Sequence, residues 1–201
     1  GRRNTLDKGL WVTWYDLPDA GRTEHLDWLH GQYIPHVLKQ PGILWGNSYA
    51  EVAEATRVQT KRTEDPEVPR GSRHMLIFGA EEADVFGAPT PSDINNALPE
   101  ADRKMLAMRV GERMNIMAEY GRVIGPENAG YKDGMMLSPC IQFGTYNTAW
   151  QNEEELVAYY TQGRLPIMSR MTGCVRSRNL ISVAGWAKHG VLYEFESLAQ
   201  R

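Results

Sequence analysis

Cysteine is nearly missing from this sequence: Cys140 and Cys174 are the two in 201 residues. They stand in no CxxC or CxxH spacing, so a disulfide scaffold is ruled out, a structural zinc site has little support, and each reads as a small buried hydrophobe. Long apolar runs are lacking too. None approaches the roughly 18 residues of a membrane span, and the opening GRRNTLDKGLW has no apolar centre of a signal peptide. Neither sign of charge dominates: 22 basic residues stand against 25 acidic ones without a basic stripe, which argues against nucleic acid or a membrane as partner. The expected compartment is the cytoplasm. GxGxxG, the Walker loop and GxSxG do not occur, so nucleotide-driven and elbow-serine chemistry are disfavoured. No pair of histidines has HxxxH spacing, and no metal is expected.

What the chain does contain is an internal repeat. A shift of 131 residues aligns Tyr15 with Tyr146, Glu24 with Glu155, Pro35 with Pro166 and Gly42 with Gly173 without a gap, and the apolar positions between them agree. Each copy reads strand, helix, strand, strand. LWVTWYDL and CIQFGTYN alternate and are rich in aromatic and β-branched residues; helices are expected from about Arg22 to Gln40 and from about Asn152 to Met171. GILWGNSYAEVAEATRV and GCVRSRNLISV, then HMLIFGAE and GVLYEFES, supply the further strands. The first copy adds a polar loop, QTKRTEDPEVPRGS, and a second helix within PSDINNALPEADRKMLAMRVGERMNIMAEYGRV. That helix carries Leu106, Val110, Met114 and Met117 on one core face, and a short fourth strand is read near GRVIG.

The order βαββαβ is the ferredoxin-like split motif. The expected fold is therefore α+β: two tandem ferredoxin-like repeats, 8–130 and 131–201, packed as one fused α+β barrel. The second copy has no second helix or fourth strand and is read as incomplete at its C-terminus. Pro35 and Pro166 lie inside helices, where proline removes a hydrogen bond to the residue four earlier. A break or kink is expected around Gly31 and Gln162, re-aiming Tyr33 and Arg164; alternatively it only fits the helix to the sheet's curvature.

The two helix stretches, EHLDWLHGQYIPHVLKQPG and EELVAYYTQGRLPIMSRMTG, each run into a glycine and a strand. In this the chain resembles, over most of its length, the EthD-like group of the dimeric α+β barrel superfamily. The resemblance implies two ferredoxin-like sheets face to face around a pocket, helices outside, and small-molecule chemistry. That group often carries a histidine two residues before the helix proline. Tyr33 and Arg164 stand there instead, so a histidine mechanism does not carry over directly.

Alternation assigns Val12, Trp14 and Phe143 to the helix side and Trp11, Thr13, Tyr15, Gln142 and Tyr146 to the enclosed side. Trp45, Asn47 and Tyr49 join the enclosed side with Arg176, Arg178 and Leu180, and Ile77 is matched to Tyr193. Such a lining suits a flat aromatic or polyketide-like anion, although alternate arginines also read as a solvated face. Among five histidines, His25, His30, His36, His74 and His189, His30 lies one turn before Tyr33 on the same helix face. Tyr33, His30 and Tyr146 are the acid/base candidates; Arg176, Arg178, Arg164, Tyr15, Trp11 and Asn47 are the binding candidates. The expected function is a cofactor-independent lyase, isomerase or cyclase acting on an aromatic or enolisable, anionic small molecule. A haem-binding protein or haem-dependent enzyme, and a non-catalytic ligand-binding or stress protein, are the alternatives. A homodimer is expected because half-barrel edges and apolar helix faces need covering.

Overall fold

The computed structural model describes residues 6–52, 63–131 and 138–197; positions 59–62 of the polar loop lie outside these. The first half runs β1 (Gly9–Asp16), α1 (Arg22–Trp28), a π-helical turn (Leu29–Tyr33), α2 (Ile34–Val37), β2 (Ile43–Ala50) and β3 (His74–Ala80). Next come α3 (Pro91–Asn96), α4 (Glu100–Leu106) and the long β4 (Val110–Ile124). The second half runs β5 (Cys140–Tyr146), α5 (Glu153–Ala158), a second π-helical turn (Tyr159–Arg164), α6 (Leu165–Met168), β6 (Cys174–Ala184) and β7 (His189–Phe195). No helix among the described residues is long and apolar enough to cross a membrane.

All seven strands join one antiparallel sheet in the order β2-β3-β1-β4-β6-β7-β5. The sheet curls into an open barrel. Trp14 of β1 meets Phe143 of β5 edge-to-face at 5.5 Å, although four strand spacings separate them in the sheet, about 19 Å if it were flat. Tyr49 at the end of β2 likewise donates to the carbonyl of Ser138, just before β5, at 2.9 Å, so the two sheet edges come together.

The region read from sequence as a long second helix is corrected: helix ends at Leu106, and Val110–Ile124 is a strand. Its Met, Glu and Ala residues favour helix locally. Pairing decides otherwise, because the first part of β4 pairs with β1 and its last part with β6, joining the two halves.

The face assignment of β1 and β5 is also corrected. Leu10, Val12 and Trp14 point into the barrel with Trp45, Ile77, Met117, Leu180 and Leu192, and Phe143 packs there too. Trp11 and Tyr15 lie on the helix side, under Trp28, Leu29, Tyr33 and Val37, and Tyr146 packs on the helix side of the second half. Both faces of β1 are buried, so alternation offers no polar side to separate them. Leu192, not Tyr193, is the inward counterpart of Ile77; Tyr193 packs outward with Met168 and Phe195.

Charged side chains fill one end of the interior. Arg178 pairs with Asp7 at 3.1 Å, and Arg122 reaches the other oxygen of Asp7 at 2.5 Å. Arg176 grips Glu194 through Nε at 2.9 Å and Nη2 at 2.8 Å. The Trp45 indole donates to Asp7 at 2.8 Å, lying across Gly79, where any Cβ would collide with its ring. Burial alone would raise the Asp7 carboxyl, but Arg178 and Arg122 outweigh it and hold the group below the usual carboxylate range. Its contribution to stability is therefore complete above about pH 4 and is lost as pH falls through the folded value. Asp7→Asn removes the carboxylate that Arg178 and Arg122 share and leaves them Glu119 and Glu194; it is expected to cost about 2 kcal/mol at neutral pH, measured by urea unfolding. The gap from the parent should close in acid, and equal midpoints at pH 7 would show the network to be neutral.

Candidate functional site

Helix geometry sets the site. Pro35 has no N–H, so the ladder shifts at the residue before it: the N–H of Ile34 bonds to the carbonyl of Leu29, five residues back. Leu165, before Pro166, does the same with Tyr160. The widened turn brings residues five apart together, and the rings of Trp28 and Tyr33 stack at 5.1 Å. Tyr33 is turned inward and buried, whereas His30 is exposed. The shared face expected for His30 and Tyr33 from α-helical spacing is thus absent.

Tyr15 stands at the centre of an aromatic chamber beneath this helix. His74, its cross-strand partner on β3, stacks on it at 5.5 Å. His25 of α1 lies 6.0 Å away, and the Arg109 guanidinium sits 4.5 Å over the Tyr15 ring and 5.5 Å from that of Tyr33. None of these five residues is more than 9% exposed. Glu112 pairs with Arg109 at 3.3 Å, yet Arg109 Nε and Nη2 are buried without a hydrogen bond. The His25 Nδ1 lies 3.1 Å from the carbonyl of Met105 on α4. A carbonyl only accepts, so the neutral ring carries its proton on Nδ1 and turns a bare lone pair at Nε2 into the chamber. His25 Nε2 and His74 Nδ1 also lack partners.

With the Tyr15 hydroxyl, which also lacks a hydrogen-bond partner, five polar atoms are therefore buried unpaired in one place. Each such atom costs roughly 1–3 kcal/mol, and a cluster of them marks where a polar ligand or water belongs. Burial, and then the nearby Arg109 charge, lowers the His25 pKa to about 4 despite its bond to Met105. Burial likewise lowers His74, with Arg22 adding to the effect. Tyr33 donates to Asn95 Oδ1 at 2.5 Å, and burial pushes its phenol well above the ordinary range. Burial raises Tyr15 too, whose hydroxyl faces Ser48 on β2. Perturbation of several groups in one enclosure is typical of functional sites.

The other sequence candidates are dispersed. Trp11 lies in the core against Phe78 at 5.0 Å, and Asn47 donates to the Tyr49 hydroxyl at 3.3 Å. Arg176 and Arg178 are committed to Glu194 and Asp7. Tyr146 stacks on His189 at 5.5 Å, the same spacing as Tyr15 on His74, but in the second half, where Arg164 donates to the Tyr193 hydroxyl at 3.2 Å. Of the expected set, Tyr15 and Tyr33 meet around Arg109, while Arg176 and Arg178 meet at Glu194, apart from the chamber. Arg109 was hidden within the expected second helix, and nothing local distinguished His25 or His74 from the other histidines. The described residues contain no cluster of three potential metal ligands.

Nuclear magnetic resonance of the imidazole nitrogens is expected to show His25 neutral, protonated at Nδ1, down to about pH 4. Its folded pKa lies below the unfolded value near 6.5, so the unfolded chain binds the proton first. Stability from the neutral ring is complete above about pH 6.5 and declines as pH falls towards 4. Titration near 6.5 would remove the enclosed environment inferred for this ring.

No family model and no curated protein matches the chain. Among solved structures, it resembles an anthrone oxidase-like protein with a TM-score of 0.62 at 10% identity, over 96% of this chain and 75% of that one. A provisionally named monooxygenase from Fusobacterium nucleatum subsp. nucleatum gives a TM-score of 0.54 at 9% identity, over 97% of this chain and 78% of that one. Another, from Lactobacillus acidophilus NCFM, gives 0.55 at 8% identity, over 94% and 78%. At these identities the likeness is one of architecture: the chain has the α+β barrel-like fold of these proteins.

Proposed function

We propose that the chain is a cofactor-independent small-molecule enzyme that takes a proton from an aromatic, enolisable substrate in the chamber around Tyr15. The observation that carries this reading is the unpaired His25 Nε2 and the unpaired N–H groups of Arg109 in one buried aromatic box. The substrate proton passes to Nε2, and the released electron pair moves onto a substrate oxygen. Arg109 stabilises that oxyanion, while Tyr15, Trp28 and Tyr33 flank the ring. A base with a pKa near 4 is free at neutral pH but weak. The forming oxyanion neutralises Arg109, one of the groups that depress it, so His25 gains basicity as the proton moves.

Access requires movement of α4. None of its residues is fully buried, and it is tied to α1 by the Trp28 bond to Asp102, 2.8 Å, and by the contact of Met105 with His25. Likeness to an anthrone oxidase-like protein supports an enolisable polycyclic phenol as the substrate class. Reprotonation at another carbon would make the enzyme an isomerase, expulsion of a leaving group from the adjacent carbon a lyase, and capture of the enolate by dioxygen, which takes up its electrons, an oxidase. Membership of the EthD-like group, and descent of 8–130 and 131–201 from one tandem ferredoxin-like unit, rest on the matched helix motifs and form part of this proposal. So does a homodimer covering exposed Val157, Tyr159 and Ile167; sedimentation as a monomer at micromolar concentration would remove it.

A second reading has one observation of its own. Donation of Nδ1–H to a backbone carbonyl with Nε2 left open is how proteins orient a metal-binding histidine, so His25 would be the residue to hold a haem iron. Haem would supply the redox chemistry, and absorption spectroscopy after haemin addition separates the readings.

Anaerobic hydrogen–deuterium exchange at the methylene of anthrone tests proton removal apart from its sequel. The parent is expected to accelerate exchange, and Arg109→Met and His25→Gln each to slow it about 10²-fold or more while retaining the circular dichroism of the fold. Exchange unchanged in both variants would place the chemistry elsewhere.

A further inference from the structure

Trp14 and Tyr15 are neighbours on β1 with opposite faces, and the inward face has a cavity of its own. It measures about 260 Å³ and is lined by Trp14, Met75, Arg113, Phe143, Thr145 and Trp186, with Glu51 and Arg70 also on its wall. Arg113 projects from β4 with its guanidinium carbon 4.0 Å from the centre of the Trp14 ring and 5.6 Å from that of Trp186. Its Nη1 donates to the Trp186 carbonyl and, at 3.3 Å, to Asn115; its Nη2 reaches Thr145 at a long 3.4 Å. No carboxylate of the described residues forms an ion pair with it.

The other arginines of the barrel interior, Arg122, Arg176 and Arg178, each have a carboxylate partner. Arg113 alone among these four stands between two indoles with its charge uncompensated. A guanidinium has five N–H groups, and three are used here, which leaves Nε–H and one Nη2–H. These lie on the edge with which arginine grips a carboxylate side-on. We propose that the barrel mouth is a second binding site, distinct from the chamber, that takes a planar aromatic carboxylate with its anion on the Nε/Nη2 edge of Arg113 and its ring against Phe143, Met75 and Trp186.

Size and charge agree with that class. A cavity of 260 Å³ suits one or two fused rings, and a neighbouring cavity of about 280 Å³ shares Glu51, Ser72, Met75 and Phe143 with it, so substituents can extend along the seam. Glu51 and Arg70 offset each other on the wall, leaving Arg113 as the net charge. Burial without a counter-ion lowers the Arg113 pKa to about 10, and a bound anion relieves that penalty. An amphipathic ligand with a cationic head is disfavoured for the same reason.

The test uses 2-naphthoate and its neutral counterpart 2-naphthalenemethanol, titrated into the parent protein by calorimetry with indole fluorescence as a second signal. Naphthoate is expected to bind at least tenfold more tightly than the alcohol and to shift the Nε–H resonance of Arg113. Arg113→Gln should abolish the tenfold preference without weakening the alcohol, and Arg113→Lys should retain only part of it. Equal binding of both compounds, or binding of neither, in the parent overturns the proposal and requires no variant to fold. A preference that survives in folded Arg113→Gln, or one lost in Arg109→Met, overturns it as well, the latter by placing the anion in the helix-side chamber.

Discussion

The curl of the sheet governs everything else, because it forces both faces of β1 to be buried. In a flat sheet one face of β1 would meet the helices and the other could be polar. Here Trp14 turns inward to meet Phe143 across the barrel while Tyr15 turns outward beneath α1. One strand therefore supplies two separate aromatic environments, each with an arginine set against a ring: Arg113 on Trp14 and Arg109 on Tyr15. Among the described residues, the interior does not form one large central pocket. Its middle is filled by Leu10, Val12, Trp45, Ile77, Met117, Leu180 and Leu192, and one end is closed by paired charges around Asp7 and Glu194.

The prolines act within this frame. A proline inside a helix costs about 3 kcal/mol when it removes a needed hydrogen bond. Here the cost is reduced, since the π-helical turn lets the residue just before each proline bond five positions back. The widened turn then selects which side chains face the sheet. In the first half it sends Trp28 and Tyr33 inward, and α3 and α4 cover them through Asn95 and Asp102. In the second half it directs Arg164 to Tyr193 and leaves Tyr159 60% exposed. The two halves thus share a backbone device and differ in the chemistry it presents.

Much of the architecture was legible in the sequence. Apart from β4, and from the far end of β2, whose expected stretch runs on into positions 53–58 outside the described residues, the strand and helix limits lie within a few residues of expectation, because proline, the glycine after each helix and the apolar runs are local signals. Gly42 and Gly173 take φ of 87° and 89°, the left-handed conformation that ends these helices. β4 was not legible, since its residues favour helix and only its two partner strands make it extended. The faces of β1 and β5 were not legible either, because period-2 reasoning needs one wet face. The site suffered most: Tyr15 and Tyr33 were recognisable as aromatic polar groups, but Arg109, His25 and His74 reach them through long-range pairing that no local spacing encodes. Arg176 and Arg178 illustrate the converse. Their alternation on a strand suggested anion binding, and the carboxylates that pair them come from residues 7 and 194.

The central claim is that the helix-side chamber receives the substrate, and a crystal structure with anthrone at millimolar concentration tests it most directly. The account expects difference density against Tyr15, with the ligand oxygen within hydrogen-bonding distance of Arg109 Nε or Nη2 and α4 displaced from α1. Density confined to the barrel mouth beside Arg113, with α4 unmoved and the five unpaired chamber atoms bridged by ordered water, would contradict it.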